Sequence, residues 1–135
     1  MRQKDSLFLV ISLDEIVDSC LVLVMEITLS LVGEVPVFHL AGRLDVATSP
    51  LLEDRLMPLL CVPGQRVVFD CAGLNYVSSA GLRVFITTQR TLSNHGGGVS
   101  FAALTQPVKE LFRLAGLENL FPIEASLEKA ILKLQ

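Results

Sequence analysis

From Met25 onward the chain alternates, with Ile27, Leu29 and Leu31 separated by Thr28 and Ser30. This is the period-two signature of a half-buried strand. Gly33-Glu34 then reads as a hairpin turn and Val35-Pro36-Val37-Phe38-His39-Leu40 as a second strand, with the proline at a strand start or sheet edge. The two are expected to pair antiparallel. Thr48-Ser49-Pro50 is a cap-and-proline helix start, followed by Leu51, Leu52, Arg55, Leu56, Leu59 and Leu60 at helical spacing and closed by Pro63-Gly64. Arg66-Val67-Val68-Phe69-Asp70 reads as a strand buried on both faces. A loop is expected from Cys71 to Val77. Ser78-Ser79 then precede a helix from Ala80 to about Asn94, which Gly96-Gly97-Gly98 punctuates.

Val99 to Leu104 is a further strand, and Pro107 opens a helix carrying Val108, Leu111, Phe112 and Leu114, with Gly116 as its C-cap. Leu120-Phe121-Pro122-Ile123 is a short extended segment. Ser126 caps a last amphipathic helix whose Leu127, Ala130, Ile131 and Leu134 share one face. Strand and helix alternate from residue 35 to the end, the pattern of an α/β layer with right-handed crossovers between parallel strands.

Residues 1–24 read differently, as two apolar runs separated by Asp14, Glu15 and Asp18 without glycine or proline. They are taken as an N-terminal extension, and the remainder, 25–135, as one domain, which suits a chain of 135 residues and 14.7 kDa. The apolar content of the extension predicts that it packs on the domain or mediates a homodimer. Neither apolar run approaches the roughly 20 residues of a membrane span, so no membrane insertion is expected. Arg2 and Lys4 precede an apolar run, but acidic residues follow without a small-residue cleavage site, which argues against secretion.

Hydrophobic residues make up 51% and charged residues 19%, with mean hydropathy +0.57, the composition of a globular chain. The net charge of −3, without a basic cluster, lacks the footprint of a nucleic-acid binder. Cys20, Cys61 and Cys71 form neither a zinc-ligand spacing nor an even disulfide set, and a reducing cytoplasm suits them. No metal and no cofactor are expected.

Candidate chemistry is sparse. Gly96-Gly97-Gly98 leads from a helix into a strand, the reverse of a phosphate-binding loop. His39 and His95 have no sequence-local partner, so solvated or packing roles are expected and a Ser/His/Asp hydrolase is poorly supported. The segment from Phe69 to Arg83 stands out because Ser78-Ser79 sit where a buried strand gives way to a helix. A serine there caps the helix. The same exposed hydroxyl can also be phosphorylated, since free N–H groups and the positive dipole end stabilise an anion.

Three runs carry a resemblance: Leu40-Ala41-Gly42-Arg43-Leu44-Asp45, Val67-Val68-Phe69-Asp70 leading to Val77-Ser78-Ser79-Ala80-Gly81-Leu82, and Val108 to Leu117. In that order and spacing they resemble the STAS family of anti-sigma factor antagonists and related bacterial regulators, from about Met25 to Gln135. The resemblance implies a single domain of four to five mixed strands packed with about four helices. It implies a cytoplasmic binding module without catalytic activity that sequesters an anti-sigma factor serine kinase and releases a sigma factor. Counting back from Gly81, it places the phosphoacceptor at Ser79, with Ser78 as rival where the family has Asp, and Ala80 in place of the second hydroxyl residue. Asp45 matches a family position near the phosphorylation loop, and Ser78, Ser79 and Gly81, with Leu82, Arg83 and Ile86 on the exposed part of the following helix, are expected to complete the partner contact. A PP2C-like phosphatase would reverse the modification in trans. Two other readings stay open: a constitutive STAS scaffold or transport-associated subunit, and a nucleotide-binding module using the helix N-terminus near Ser79.

Overall fold

A computed structural model describes residues 7–12 and 24–134. In chain order the elements are β1 (Leu7–Ser12), β2 (Val24–Val32), β3 (Val35–Leu44), α1 (Ser49–Leu60), β4 (Arg66–Val77), α2 (Ser79–Asn94), β5 (Gly98–Ala102), α3 (Gln106–Leu114), β6 (Ile123–Glu124) and α4 (Leu127–Leu134). The strands form one sheet in sequential order, antiparallel from β1 to β3 and parallel from β3 to β6. Strands β2 to β6 supply the expected mixed sheet, and β1, which falls in the extension, adds an edge strand by pairing Leu7 with Leu29 through Ser12 with Val24. The strand expected from Val99 to Leu104 runs from Gly98 to Ala102.

The alternation of β2 to β5 separates two cores. Met25, Ile27, Phe38, Leu40, Phe69 and Phe101 join Leu52 and Leu56 of α1, Phe85 and Leu92 of α2 and Phe112 of α3 in the larger one. Its aromatic rings form a continuous chain, Phe38–Phe69–Phe85–Phe101–Phe112–Phe121, with neighbouring centroids 4.9 to 5.8 Å apart. Each such pair contributes about 1 kcal/mol beyond area burial. On the opposite face Val35, Val37, Val68 and Ala102 pack with Ala130 and Ile131 of α4.

The predicted loop from Cys71 to Val77 is instead the second half of β4, paired with β3 up to Val77 opposite Leu44. Small residues make this possible. A Cβ on Gly73 would stand 2.9 Å from the Ala41 Cβ and 3.3 Å from the Leu40 carbonyl oxygen, so only glycine lets the two backbones approach this closely. The register shifts between His39 and Ala41 and between Gly42 and Arg43, where bulged strands locally bend and twist more strongly. The long β4 thereby delivers Ser78 to the rim where α2 begins.

Candidate functional site

The end of β3 and the start of α2 are tied together by one backbone hydrogen bond, from the Ser78 N–H to the Leu44 carbonyl at 2.8 Å. Ser78 is extended, at φ −86° and ψ 178°, and its Oγ accepts the Gly81 N–H at 3.3 Å, while its carbonyl accepts the Leu82 N–H at 2.9 Å. It is therefore the N-cap of α2. With that position filled, Ser79 becomes the first helical residue, exposed, with no hydrogen bond to its hydroxyl among the described residues. The first turn of α2 contains no acidic side chain, so nothing in it competes for the positive end of the helix dipole.

Gly81 is buried and sits where a Cβ would approach Leu44 Cγ and Val77 Cγ1 at 2.9 Å. Its role is to let the first turn of α2 lie against the ends of β3 and β4. Leu82 and Ile86 are half-buried and packed against the larger core, whereas Arg83 is exposed. Of the residues named from the sequence, Ser79 and Arg83 thus present themselves to solvent most fully. Arg83 also lines a shallow groove of about 160 Å³ with Val46, Glu53, Ala80 and Thr87, between the starts of α1 and α2.

Asp45 stands in the turn after β3, with its side chain 17% exposed. Its Oδ1 accepts the N–H groups of Ala47 and Thr48, both at 3.1 Å, and its own N–H donates to Thr48 Oγ1 at 2.9 Å. The Thr48 hydroxyl donates to the Arg43 carbonyl at 2.8 Å, so Thr48 occupies the N-cap position of α1 without a side-chain cap bond. The carboxylate thus holds the turn, and its second oxygen faces Arg43 Nε at 3.8 Å. Sequence reasoning missed the residues beside it. The Arg43 guanidinium lies over the Tyr76 ring at 4.3 Å, and Val46 is 72% exposed. Arg43 and Tyr76 are 33 positions apart in sequence, and only the parallel register of β3 on β4 brings them together. A cation over an aromatic face next to an uncovered valine is a surface suited to protein contacts.

The histidines behave differently from each other. His95 caps the end of α2, with its Nδ1 2.8 Å from the Thr91 carbonyl oxygen. His39, expected to be solvated or merely packed, has partners on both ring nitrogens: Nδ1 is 2.7 Å from Asp70 Oδ2 and Nε2 is 2.9 Å from Ser30 Oγ. The hydrogen bond from His39, reinforced by one from the Ala72 N–H, outweighs burial and holds the Asp70 carboxyl below its ordinary value of 3.8. Cys61 is exposed and Cys71 fully buried, where burial pushes its thiol far above the ordinary range and leaves it inert. Cys20 lies outside the described residues. No cluster able to hold a metal ion occurs among the described residues.

The STAS domain family model matches residues 26–130. The chain belongs to the STAS domain family. BtrV of Bordetella bronchiseptica, described as an anti-sigma factor antagonist, is 31% identical over 106 residues, 78% of this chain and 91% of the relative. The anti-sigma-B factor antagonist of Bacillus subtilis is 29% identical over 93 residues, 69% of this chain and 84% of the relative. The solved structure of the anti-sigma factor antagonist SpoIIAA of Bacillus in its unphosphorylated form superposes with a TM-score of 0.68 at 21% identity, covering 79% of this chain and 94% of SpoIIAA, which has also been solved in a phosphorylated form. No helix among the described residues of this STAS domain is long and apolar enough to cross a membrane.

Proposed function

We propose that this STAS domain is a cytoplasmic anti-sigma factor antagonist whose rim, formed by the ends of β3 and β4 and the first turns of α2, binds an anti-sigma factor serine kinase and so releases a sigma factor. The observation that carries the reading is the division of labour between adjacent serines. Ser78 is committed to capping α2, and Ser79 is exposed with its hydroxyl unengaged. A kinase acting in trans can reach Ser79 without dismantling the helix start. Its product adds about −1.5 to −2 charges at the centre of the rim. Inside this protein the new charge sits at a helix N-terminus and is tolerated. At a docked interface it must be desolvated against the partner, so affinity falls while the fold stays intact. Arg83, Leu82 and Ile86 on α2, with Arg43, Val46 and Tyr76 beside them, frame the contact, and Asp45 and Gly81 set its shape. A PP2C-like phosphatase would restore the binding form, and the chain itself performs no catalysis in this cycle.

The test is to incubate the protein with Mg-ATP and a serine kinase of the anti-sigma type from the same genome, then locate the phosphate by peptide mass spectrometry. The modification is expected on Ser79. Phosphate confined to residues other than Ser79 would overturn the assignment, including phosphate on Ser78 alone.

A further inference from the structure

Three side chains from adjacent strands meet on the sheet face opposite the phenylalanine core: Ser30 of β2, His39 of β3 and Asp70 of β4. Their order is chemically directional. An ionised carboxylate only accepts hydrogen bonds, so the His39 Nδ1 facing Asp70 carries the proton. In the neutral imidazole Nε2 is then the basic nitrogen, and it faces the Ser30 hydroxyl at 2.9 Å. The Asp70 carboxylate is itself fixed, since its Oδ1 accepts the Ala72 N–H at 3.2 Å. The His39 and Asp70 side chains are 32% and 20% exposed, and Ser30 is half-buried, so the group is held in place yet reachable from solvent.

We propose that Ser30 is a nucleophilic hydroxyl that takes an acyl group from activated esters, with His39 as its general base and Asp70 as the residue that orients the imidazole. In the step, Ser30 Oγ bonds to the ester carbonyl carbon as His39 Nε2 takes the hydroxyl proton. The tetrahedral adduct then expels its alkoxide or aryloxide, breaking the original C–O bond, and His39 returns the proton to that leaving oxygen. The products are acyl-Ser30 and the free alcohol or phenol. The arrangement satisfies the nucleophile-to-base and base-to-orienter geometry of acyl transfer. Ser30 nevertheless lies inside the continuous β2–β3 ladder, opposite Val37, and not on the strained turn that supplies oxyanion donors in hydrolases. Loss of such donors costs about two to three orders of magnitude in rate. The chemistry is therefore limited to donors with good leaving groups and to stoichiometric acylation.

The experiment treats the full chain with p-nitrophenyl acetate and maps acetylated residues by peptide mass spectrometry, with the exposed, unassisted Ser79 as internal reference. Ser30 is expected to acetylate at least about a hundredfold faster than Ser79, the low end of what a positioned general base supplies. His39→Gln is expected to remove that advantage and leave Ser79 unchanged. Asp70→Asn is expected to slow Ser30 while buried Cys71 stays shielded from a thiol reagent, which separates orientation of the imidazole from unfolding. Ser30 reacting no faster than Ser79 overturns the proposal, as does an undiminished Ser30 rate in either variant. If a variant exposes Cys71, the wild-type comparison of Ser30 with Ser79 decides alone.

Discussion

The first turn of α2 and the polar face of the sheet each present a serine hydroxyl, and the two are held in opposite ways. Ser79 is exposed and unbonded, because its neighbour Ser78 has taken the capping role. Ser30 is half-buried and bonded to His39, which is bonded in turn to Asp70. A hydroxyl without an internal base has no group of this chain to activate it, and under the proposed function its exposure lets both a kinase and the docking partner reach it. A hydroxyl with an internal base is activated from within and held inside a rigid sheet. The rim is suited to being read and rewritten, whereas the sheet face is suited to holding a fixed geometry.

The sharpest way to break this contrast is charge at position 79. Ser79→Asp is expected to weaken binding of the anti-sigma partner about a hundredfold, roughly 2.7 kcal/mol, because like-charge placement and desolvation at an interface cost several kcal/mol. Isothermal titration calorimetry would measure it, and unchanged affinity would count against a charge-sensitive rim. On the sheet face the corresponding change is Asp70→Asn, expected to lower unfolding stability near neutral pH by about 2 kcal/mol, the scale of a hydrogen bond to a charged group. Urea titration checks this.

The pH dependence of that second effect has a definite sign. The Asp70 carboxyl is held below its ordinary value of 3.8 in the folded protein, so its contribution is present above that value and is lost as pH falls through the lowered folded value. The stability gap between wild type and Asp70→Asn is therefore expected to be full near neutral pH and to close in acid, as pH falls below 3.8 through the lowered folded value. A gap that stays constant over the range would place the stabilisation elsewhere.

Much of the rim was legible in the sequence, because helix starts have local chemistry. Thr48-Ser49-Pro50 and Ser78-Ser79 mark the starts of α1 and α2, and Gly116, expected as the C-cap of α3, stands at φ 74° one residue beyond the actual cap, Ala115. What local chemistry could not decide was which serine caps, since either hydroxyl could reach an early N–H. The chain direction set by the Ser78-to-Leu44 bond decides it. The continuation of β4 was hidden because Ala72-Gly73 has the composition of a turn, and its reason for being a strand is the close approach to Ala41 on another strand. The Ser30–His39–Asp70 group was illegible for a similar reason. Its members lie 9 and 31 positions apart, and strand register alone brings them together. Asp45 was expected at the partner contact, and the structure has its Oδ1 spent on its own turn.

Smaller effects sharpen the division between the adjacent serines. Ser78→Ala removes a cap and is expected to cost about 1 kcal/mol of stability. Ser79→Ala removes an unbonded, exposed hydroxyl and is expected to change stability by less than about 0.5 kcal/mol, with partner affinity retained. Denaturant unfolding of both variants side by side would check the pair. Equal losses would mean that the two hydroxyls share the cap.

The most direct measurement is the affinity of the anti-sigma serine kinase for this protein carrying phosphate on Ser79 alone, against the unmodified protein, with circular dichroism recorded on both. The account predicts identical spectra and binding at least about a hundredfold weaker for the phosphorylated form. Equal affinity of the two forms would contradict it.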